Sequence, residues 1–250
     1  MRDYQLYVFD MDGVLFRGDE VVEGGPETVN DILKTGASIR YLTNNSTKTR
    51  RDYAEKLYGM GYPAEPAQIY TSASGAGIYL AGSSAYVIGE DGLRAELTAM
   101  GCKVTETDAE WVAVGACWSL TYAMIDEAQW RIRQGARFLA TNTDATYPIE
   151  GDRVRPGAGA CVAAISTAAE QQPEIVIGKP QTTLLEMIWS ESEIPKQNTL
   201  VVGDRLDTDI ALAENAGCDS ALVLTGAHSN RSLKNSPHKP TFIYGSVADL

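Results

Sequence analysis

The stretch Gln5-Leu6-Tyr7-Val8-Phe9-Asp10-Met11-Asp12-Gly13-Val14 decides the fold. Gln5 to Phe9 is a short apolar run suited to a buried strand, and it stops at a pair of carboxylates separated by one methionine. Open parallel α/β sheets bind ligands at the carboxyl ends of their strands, so Asp10 and Asp12 stand where such a site belongs. Gly13 then permits a tight turn.

Outward from this strand the chain alternates. Pro26 opens a helix with Val29, Ile32 and Leu33 on one face, and Gly36 stops it. Ser38 to Leu42 is the second strand, ending at Thr43-Asn44-Asn45-Ser46. A helix follows through Tyr53, Leu57 and Met60, closed by Gly59 and Gly61. Small residues at Gly82 to Ser84 suggest a hinge, and a second alternating set begins beyond it. That set has strands at Ala85 to Ile88, Trp111 to Val114 and Ala136 to Ala140, with helices at Leu93 to Met100 and Leu120 to Gln134. A turn-rich stretch, Thr141 to Gly159, precedes a small-residue helix from Ala160 to Ala169. The pattern resumes with strands at Glu174 to Ile177, Leu200 to Val202 and Ala221 to Leu224, and helices at Thr183 to Trp189 and Asp209 to Ala216. Strands alternating with helices imply βαβ units and a mostly parallel α/β sheet.

The 250 residues suffice for one large domain or two modest ones, and 44% apolar with 22% charged residues is ordinary for a globular protein. A net charge of −12 repels a phosphate backbone, which argues against nucleic acid as a partner. It leaves room for a small phosphorylated substrate, because a metal ion and a lysine can reverse the potential within a cleft. Cys102, Cys117, Cys161 and Cys218 are scattered, and His228 and His238 are the only histidines. A zinc site is therefore not expected, and the cysteines read as small buried hydrophobes in a reducing compartment. No apolar stretch approaches the roughly 18 residues that span a bilayer, and no signal-peptide pattern opens the chain, so a cytoplasmic protein without membrane partners is expected.

Three polar clusters each follow a strand: Asp10-Met11-Asp12-Gly13-Val14, Thr43-Asn44-Asn45-Ser46, and Gly203-Asp204-Arg205-Leu206-Asp207-Thr208-Asp209. Gly178-Lys179-Pro180 follows another. Crowded carboxylates must protonate or bind a cation, and an all-oxygen donor set points to Mg²⁺. Such an ion would neutralise a phosphoryl group for in-line attack by a carboxylate, with lysine adding charge stabilisation and the Thr/Asn turn donating hydrogen bonds.

These four motifs, in this order and spacing, resemble those of the haloacid-dehalogenase-like phosphatases. The long insert between the second and third is similar to the α/β cap of the NagD/p-nitrophenyl phosphatase subgroup. The likeness extends through Leu222-Val223-Leu224-Thr225-Gly226 to Ser246-Val247-Ala248-Asp249-Leu250. It implies a Rossmann-like parallel-sheet core at residues 1–80 and 178–250, with an inserted α/β cap at 81–177. It also implies a Mg²⁺-dependent phosphatase working through an aspartyl-phosphate. By resemblance Asp10 is the nucleophile and Asp12 the general acid, later the base, whose main-chain carbonyl also ligates the metal. Thr43 and the Asn44 amide bind phosphate, and Lys179 holds nucleophile and phosphate in register. Asp204 is a direct metal ligand and Asp209 one reached through water. Tyr147 matches a position that touches the leaving group.

Plainer readings stand beside these. Asp207 reads as a cap of the helix beginning near Thr208, and Arg205 either assists the site or forms a surface salt bridge. Tyr147 either reads substrate or packs beside Pro148. Gly178-Lys179 is not a Walker A loop, since Pro173 and Pro180 stand where that motif needs Gly and Ser/Thr. Gly75, Gly77, Gly157 and Gly159 read as packing or turn glycines, and Trp111, Trp118, Trp130 and Trp189 as core. A catalytically silent module on the same fold, or a phosphomutase, is the alternative function. The intact Asp10 and Asp12 favour a phosphatase of small metabolites: phosphoglycolate, nucleoside monophosphates, pyridoxal phosphate, sugar or glycerol phosphates, with p-nitrophenyl phosphate in vitro. A homo-oligomer is compatible with the apolar positions of the insert.

Overall fold

A computed structural model describes residues 4–148, 153–227 and 230–250, so His228 lies outside the described residues. The chain opens with β1 (Leu6–Phe9), buried throughout as its unbroken apolar run requires, then a small hairpin of β2 (Phe16–Arg17) and β3 (Glu20–Val21). Next come α1 (Gly25–Lys34), β4 (Ser38–Thr43), α2 (Arg50–Gly59) and β5 (Ile69–Thr71). They are followed by α3 (Ser72–Tyr79), β6 (Ser84–Ile88), α4 (Asp91–Ala99), β7 (Lys103–Val104), β8 (Trp111–Val114), α5 (Tyr122–Arg133) and β9 (Arg137–Ala140). After these lie β10 (Thr146–Pro148), β11 (Val154–Pro156), α6 (Ala158–Ala169), β12 (Ile175–Val176) and α7 (Thr183–Ser192). The last elements are β13 (Thr199–Gly203), α8 (Ala211–Ala216), β14 (Asp219–Val223), α9 (Asn230–Asn235) and β15 (Phe242–Tyr244).

Contacts group the chain into two units. The first comprises Met1–Thr43, Arg51–Tyr70 and Lys179–Leu250 and carries a six-stranded sheet in the order β15-β14-β13-β1-β4-β5. β1 pairs in parallel with both β13 and β4, Phe9 standing opposite Val202 and Tyr41. Parallel pairing sends these strands in one direction, so Asp10, Thr43 and Asp204 leave the sheet at the same edge. Tyr7, Phe9, Tyr41, Tyr53, Leu57 and Val29 fill the core beneath that edge. The second unit comprises Asn44–Arg50 and Thr71–Gly178, with a five-stranded sheet ordered β12-β9-β8-β6-β7, parallel throughout. Ile88, Val112, Val114, Phe138, Val162 and Ile165 form its core. No helix among the described residues is long and apolar enough to cross a membrane.

Several elements differ from expectation. α3 went unread because Ser-Ala-Ser-Gly-Ala-Gly is a poor helix former; a reciprocal cap between Thr71 and Ser74, both bonds 2.9 Å, starts it without the usual Glu or Gln. α3 belongs with the second unit, although it precedes Gly82. The stretch Thr141 to Gly159 contains the antiparallel hairpin β10–β11, too short and too exposed to leave an alternating signature. The helix expected from Asp209 is entered by a π-helical turn at Leu206–Ile210, in which the Ile210 amide donates to the Arg205 carbonyl at 3.1 Å. Arg205 occupies the cap position, and Asp207 pairs with its guanidinium at 2.8 Å instead of capping. Trp111 is buried, but Trp118 and Trp130 are 59% and 54% exposed and so are not core. All four cysteines are unpaired, Cys102, Cys117 and Cys161 buried and Cys218 partly so.

Candidate active site

Asp10 begins where β1 runs out, its N–H still donating to the Val202 carbonyl at 2.8 Å. That bond holds the residue at the sheet edge. Lys179, the first residue of the chain's return to this unit, brings its ammonium within 2.6 Å of both Asp10 Oδ1 and Asp209 Oδ1. Asp209 stands on the π-helical turn, and its other oxygen accepts the Arg205 N–H at 3.0 Å. Asp204 follows β13 directly, and its Oδ2 accepts the Ala227 N–H at 2.6 Å. The groups are buried: Asp10 is 8% exposed, Lys179 4%, Asp204 4% and Asp209 1%.

Close approach explains Gly13. It turns with φ of +84°, and a Cβ there would lie 2.5 Å from Asp204 Oδ2. Thr225, in the segment after β14, fixes the same turn by donating its hydroxyl to the Gly13 carbonyl at 2.7 Å. Tyr62 donates to the Leu15 carbonyl at 2.7 Å and holds the following loop.

Asp10, Asp204 and Asp209 each place a carboxylate oxygen within 4.8 Å of the others. Burial, then the Asp209 and Asp204 charges, raise the Asp10 pKa well above the ordinary carboxylate value against the pull of Lys179. Burial and then Asp209 likewise push Asp204 up to about 7, opposed by the Ala227 N–H, Lys179 and Arg205. Burial alone would lower the lysine, but the attraction of Asp10 and Asp209 outweighs it and holds the ammonium above its usual pKa. One lysine does not balance three carboxylates. Asp204 Oδ1 is also buried with no hydrogen-bond partner among the described residues. An all-carboxylate set with an orphaned oxygen fits a divalent cation.

The raised Asp204 pKa has a measurable sign. Its unfolded value is about 3.9, so between about pH 4 and pH 7 the folded metal-free protein binds more protons than the unfolded chain, and stability falls as pH rises. In chelator, the melting temperature is expected to drop from pH 5 to pH 8, and Asp204→Asn to flatten that drop. A wild-type curve as flat as the variant's would remove this account.

Thr43 is buried at the end of β4 and shares a side-chain hydrogen bond with Tyr53 of α2. Burial, then the charge of Asp12, raises the tyrosine's pKa well above its ordinary value, with Asp10 adding to the rise and the Thr43 bond opposing it. The contacts of Tyr53, Tyr62 and Ala227 escaped sequence reading because each acts across the fold, and Thr225, though within the Leu222–Gly226 stretch of the likeness, had no role read for it. The Asp12 side chain is not part of the carboxylate cluster found among the described residues.

Asn44 and Tyr147 belong to the second unit. Asn44 is buried and hydrogen-bonded to Asp144 and Asn142. Tyr147 lies in β10 opposite Arg155, partly exposed, with its hydroxyl oxygen buried and without a partner among the described residues. The Pro148 ring lies outside the described side chains.

Residues 7–103 match a family model described as haloacid dehalogenase-like hydrolase, and residues 176–250 one described as HAD-hydrolase-like. Human (Homo sapiens) glycerol-3-phosphate phosphatase is 34% identical over 292 aligned residues, spanning 100% of this chain and 91% of that protein. Among solved structures, p-nitrophenyl phosphatase from Archaeoglobus fulgidus superposes with a TM-score of 0.94 at 28% identity, covering 99% of this chain and 98% of that one. NagD from E. coli K-12 gives 0.90 at 32% identity, covering 99% and 98%. The chain belongs to the haloacid dehalogenase-like hydrolases. It is similar there to NagD and the p-nitrophenyl phosphatases, and it is a phosphatase, a phosphoric monoester hydrolase.

Proposed function

We propose that this phosphatase acts on small phosphomonoesters with Mg²⁺ and carries the phosphoryl group transiently on Asp10. The observation that supports this best is the Lys179 ammonium, 2.6 Å from both Asp10 and Asp209 at the end of a strand inside the sheet. Held there, Asp10 presents a fixed carboxylate whose charge is partly offset, so it can approach an anionic phosphoryl group. Asp10 attacks phosphorus and the ester P–O bond breaks. Asp12 gives its proton to the leaving oxygen, then takes one from the water that attacks the aspartyl-phosphate, releasing phosphate and restoring Asp10. Thr43 and the Asn44 N–H donate to phosphoryl oxygens. Asp10, Asp204 and the Asp12 main-chain carbonyl would hold Mg²⁺, with Asp209 reaching it through water. When bound, the ion neutralises the carboxylates and the phosphoryl oxygens together.

Enzyme mixed with labelled p-nitrophenyl phosphate and quenched in acid should retain an alkali-labile label on the peptide containing Asp10. Turnover with no trapped label would argue for direct attack by water. The natural substrate is a small phosphorylated metabolite, with glycerol and sugar phosphates and phosphoglycolate as candidates, and the place of action is the cytoplasm.

The insert at 81–177 serves as the specificity domain. The shared site holds the phosphate, so the leaving group must be read elsewhere. The buried Tyr147 hydroxyl, without a partner among the described residues, supports a role in that reading. Tyr147→Ala is expected to reorder a panel of phosphomonoesters while largely keeping p-nitrophenyl phosphate hydrolysis. A uniform loss, or no change, would count against it.

A further inference from the structure

We infer that Asn142 and Asp144 are positioning residues for the phosphate-binding turn, acting through Asn44; this rests on the proposed role of the Asn44 N–H as a phosphate donor. The Asn44 side-chain amide donates to both carboxylate oxygens of Asp144, at 3.1 and 3.0 Å. Its main-chain carbonyl accepts the Asn142 side-chain amide at 2.6 Å and the Ser72 hydroxyl at 2.5 Å. Asn44 is therefore held by its side chain and by its carbonyl, which fixes where its nitrogen stands.

The gripping loop is itself fixed. Asn142 accepts the Asp144 N–H on its side-chain oxygen at 3.1 Å, which sets the spacing between the two clamps. The Asp144 carbonyl accepts the Gly159 N–H at 2.9 Å, and the Thr141 carbonyl the Gly178 N–H at 2.8 Å. Gly178 needs to be glycine for this reason: a Cβ would lie 2.5 Å from Asn44 Oδ1 and 2.9 Å from Asn142 Cβ. Asn44, Asn142 and Ser72 are all buried, and all these residues lie within the second unit. Asp144 is partly buried, and a carboxylate that accepts from a neutral amide binds it more firmly than a neutral acceptor would. The arrangement parallels the way outer partners orient the ligands of a metal, where their loss costs about 10–100-fold.

The test is steady-state kinetics of Asp144→Ala, Asp144→Asn, Asn44→Ala and the Asn44→Ala/Asp144→Ala double variant, with inorganic phosphate as a competitive probe. Asp144→Ala is expected to lower kcat/KM by about 10–100-fold, equally across substrates with different leaving groups, and to weaken phosphate inhibition. Asp144→Asn, which keeps one acceptor oxygen, should recover most of the loss. The double variant should be no worse than the poorer single one, since both break the same link. Additive losses, or losses that follow the leaving group, would mean that Asp144 acts on substrate by itself and would overturn the inference. So would unchanged kinetics in a folded Asp144→Ala. If Asp144→Ala does not fold, the Asp144→Asn and Asn44→Ala pair carries the same comparison. A failure of the underlying reading is separable: an amide-to-ester replacement at residue 44, which removes the N–H and keeps the asparagine side chain, would then leave inhibition by inorganic phosphate unchanged.

Discussion

Asp10→Asn is expected to abolish turnover of p-nitrophenyl phosphate, lowering kcat by about 10⁴-fold or more, because the amide cannot form the acyl-phosphate. The fold should survive. The amide oxygen can still accept from Lys179, and removing one of three mutually repelling carboxylates relieves the strain that raises Asp10 and Asp204 together. Circular dichroism and the melting temperature should therefore stay near wild type while activity vanishes. Asp12→Asn should slow both formation and hydrolysis of the intermediate, since it serves first as acid and then as base. Near-normal turnover by Asp10→Asn would remove the covalent mechanism.

Removing divalent metal should have an effect of the same order. Three carboxylates gathered within 4.8 Å around one lysine leave an uncompensated negative charge in the site, and a phosphate dianion would add to it. Excess chelator is thus expected to silence the enzyme and Mg²⁺ to restore it, with the melting temperature rising as the ion binds the folded state. Calcium should restore little activity, because its larger and looser coordination shell lets the attacking carboxylate drift. Full activity in chelator would refute the metal site.

Much of this arrangement was legible along the chain. β1, β4 and β13 announce themselves as apolar runs, and each ends on the polar residues that the parallel sheet gathers at one edge. Lys179 reads as a lysine that follows a strand, but its contacts with Asp10 and Asp209 depend on the chain's return to the first unit, which no local pattern shows. Asn44 was expected to meet phosphate, but its partners Asp144 and Asn142 lie about a hundred residues further on, in a stretch that reads only as turns. Asp207 misled because an Asp before a helix usually caps it, whereas here the π-helical turn begins earlier and leaves Asp207 to pair with Arg205. Trp118 and Trp130 misled because a bulky aromatic suggests burial whichever face it occupies.

The place of β1 in its sheet links the nucleophile's survival to that of the whole unit. β13 and β4 flank this strand, so its amides and carbonyls bond on both sides, while β15 at one edge has partners on one side only. Peripheral elements of a protein open at little cost, whereas an interior strand opens only when the whole cooperative unit does. Solvent deuterons should reach the amides of Val8 and Phe9 last. Asp10 hangs from that strand by a bond to β13, so a molecule that has frayed at its edges still carries an intact nucleophile, and one that has lost its nucleophile strand has lost its fold.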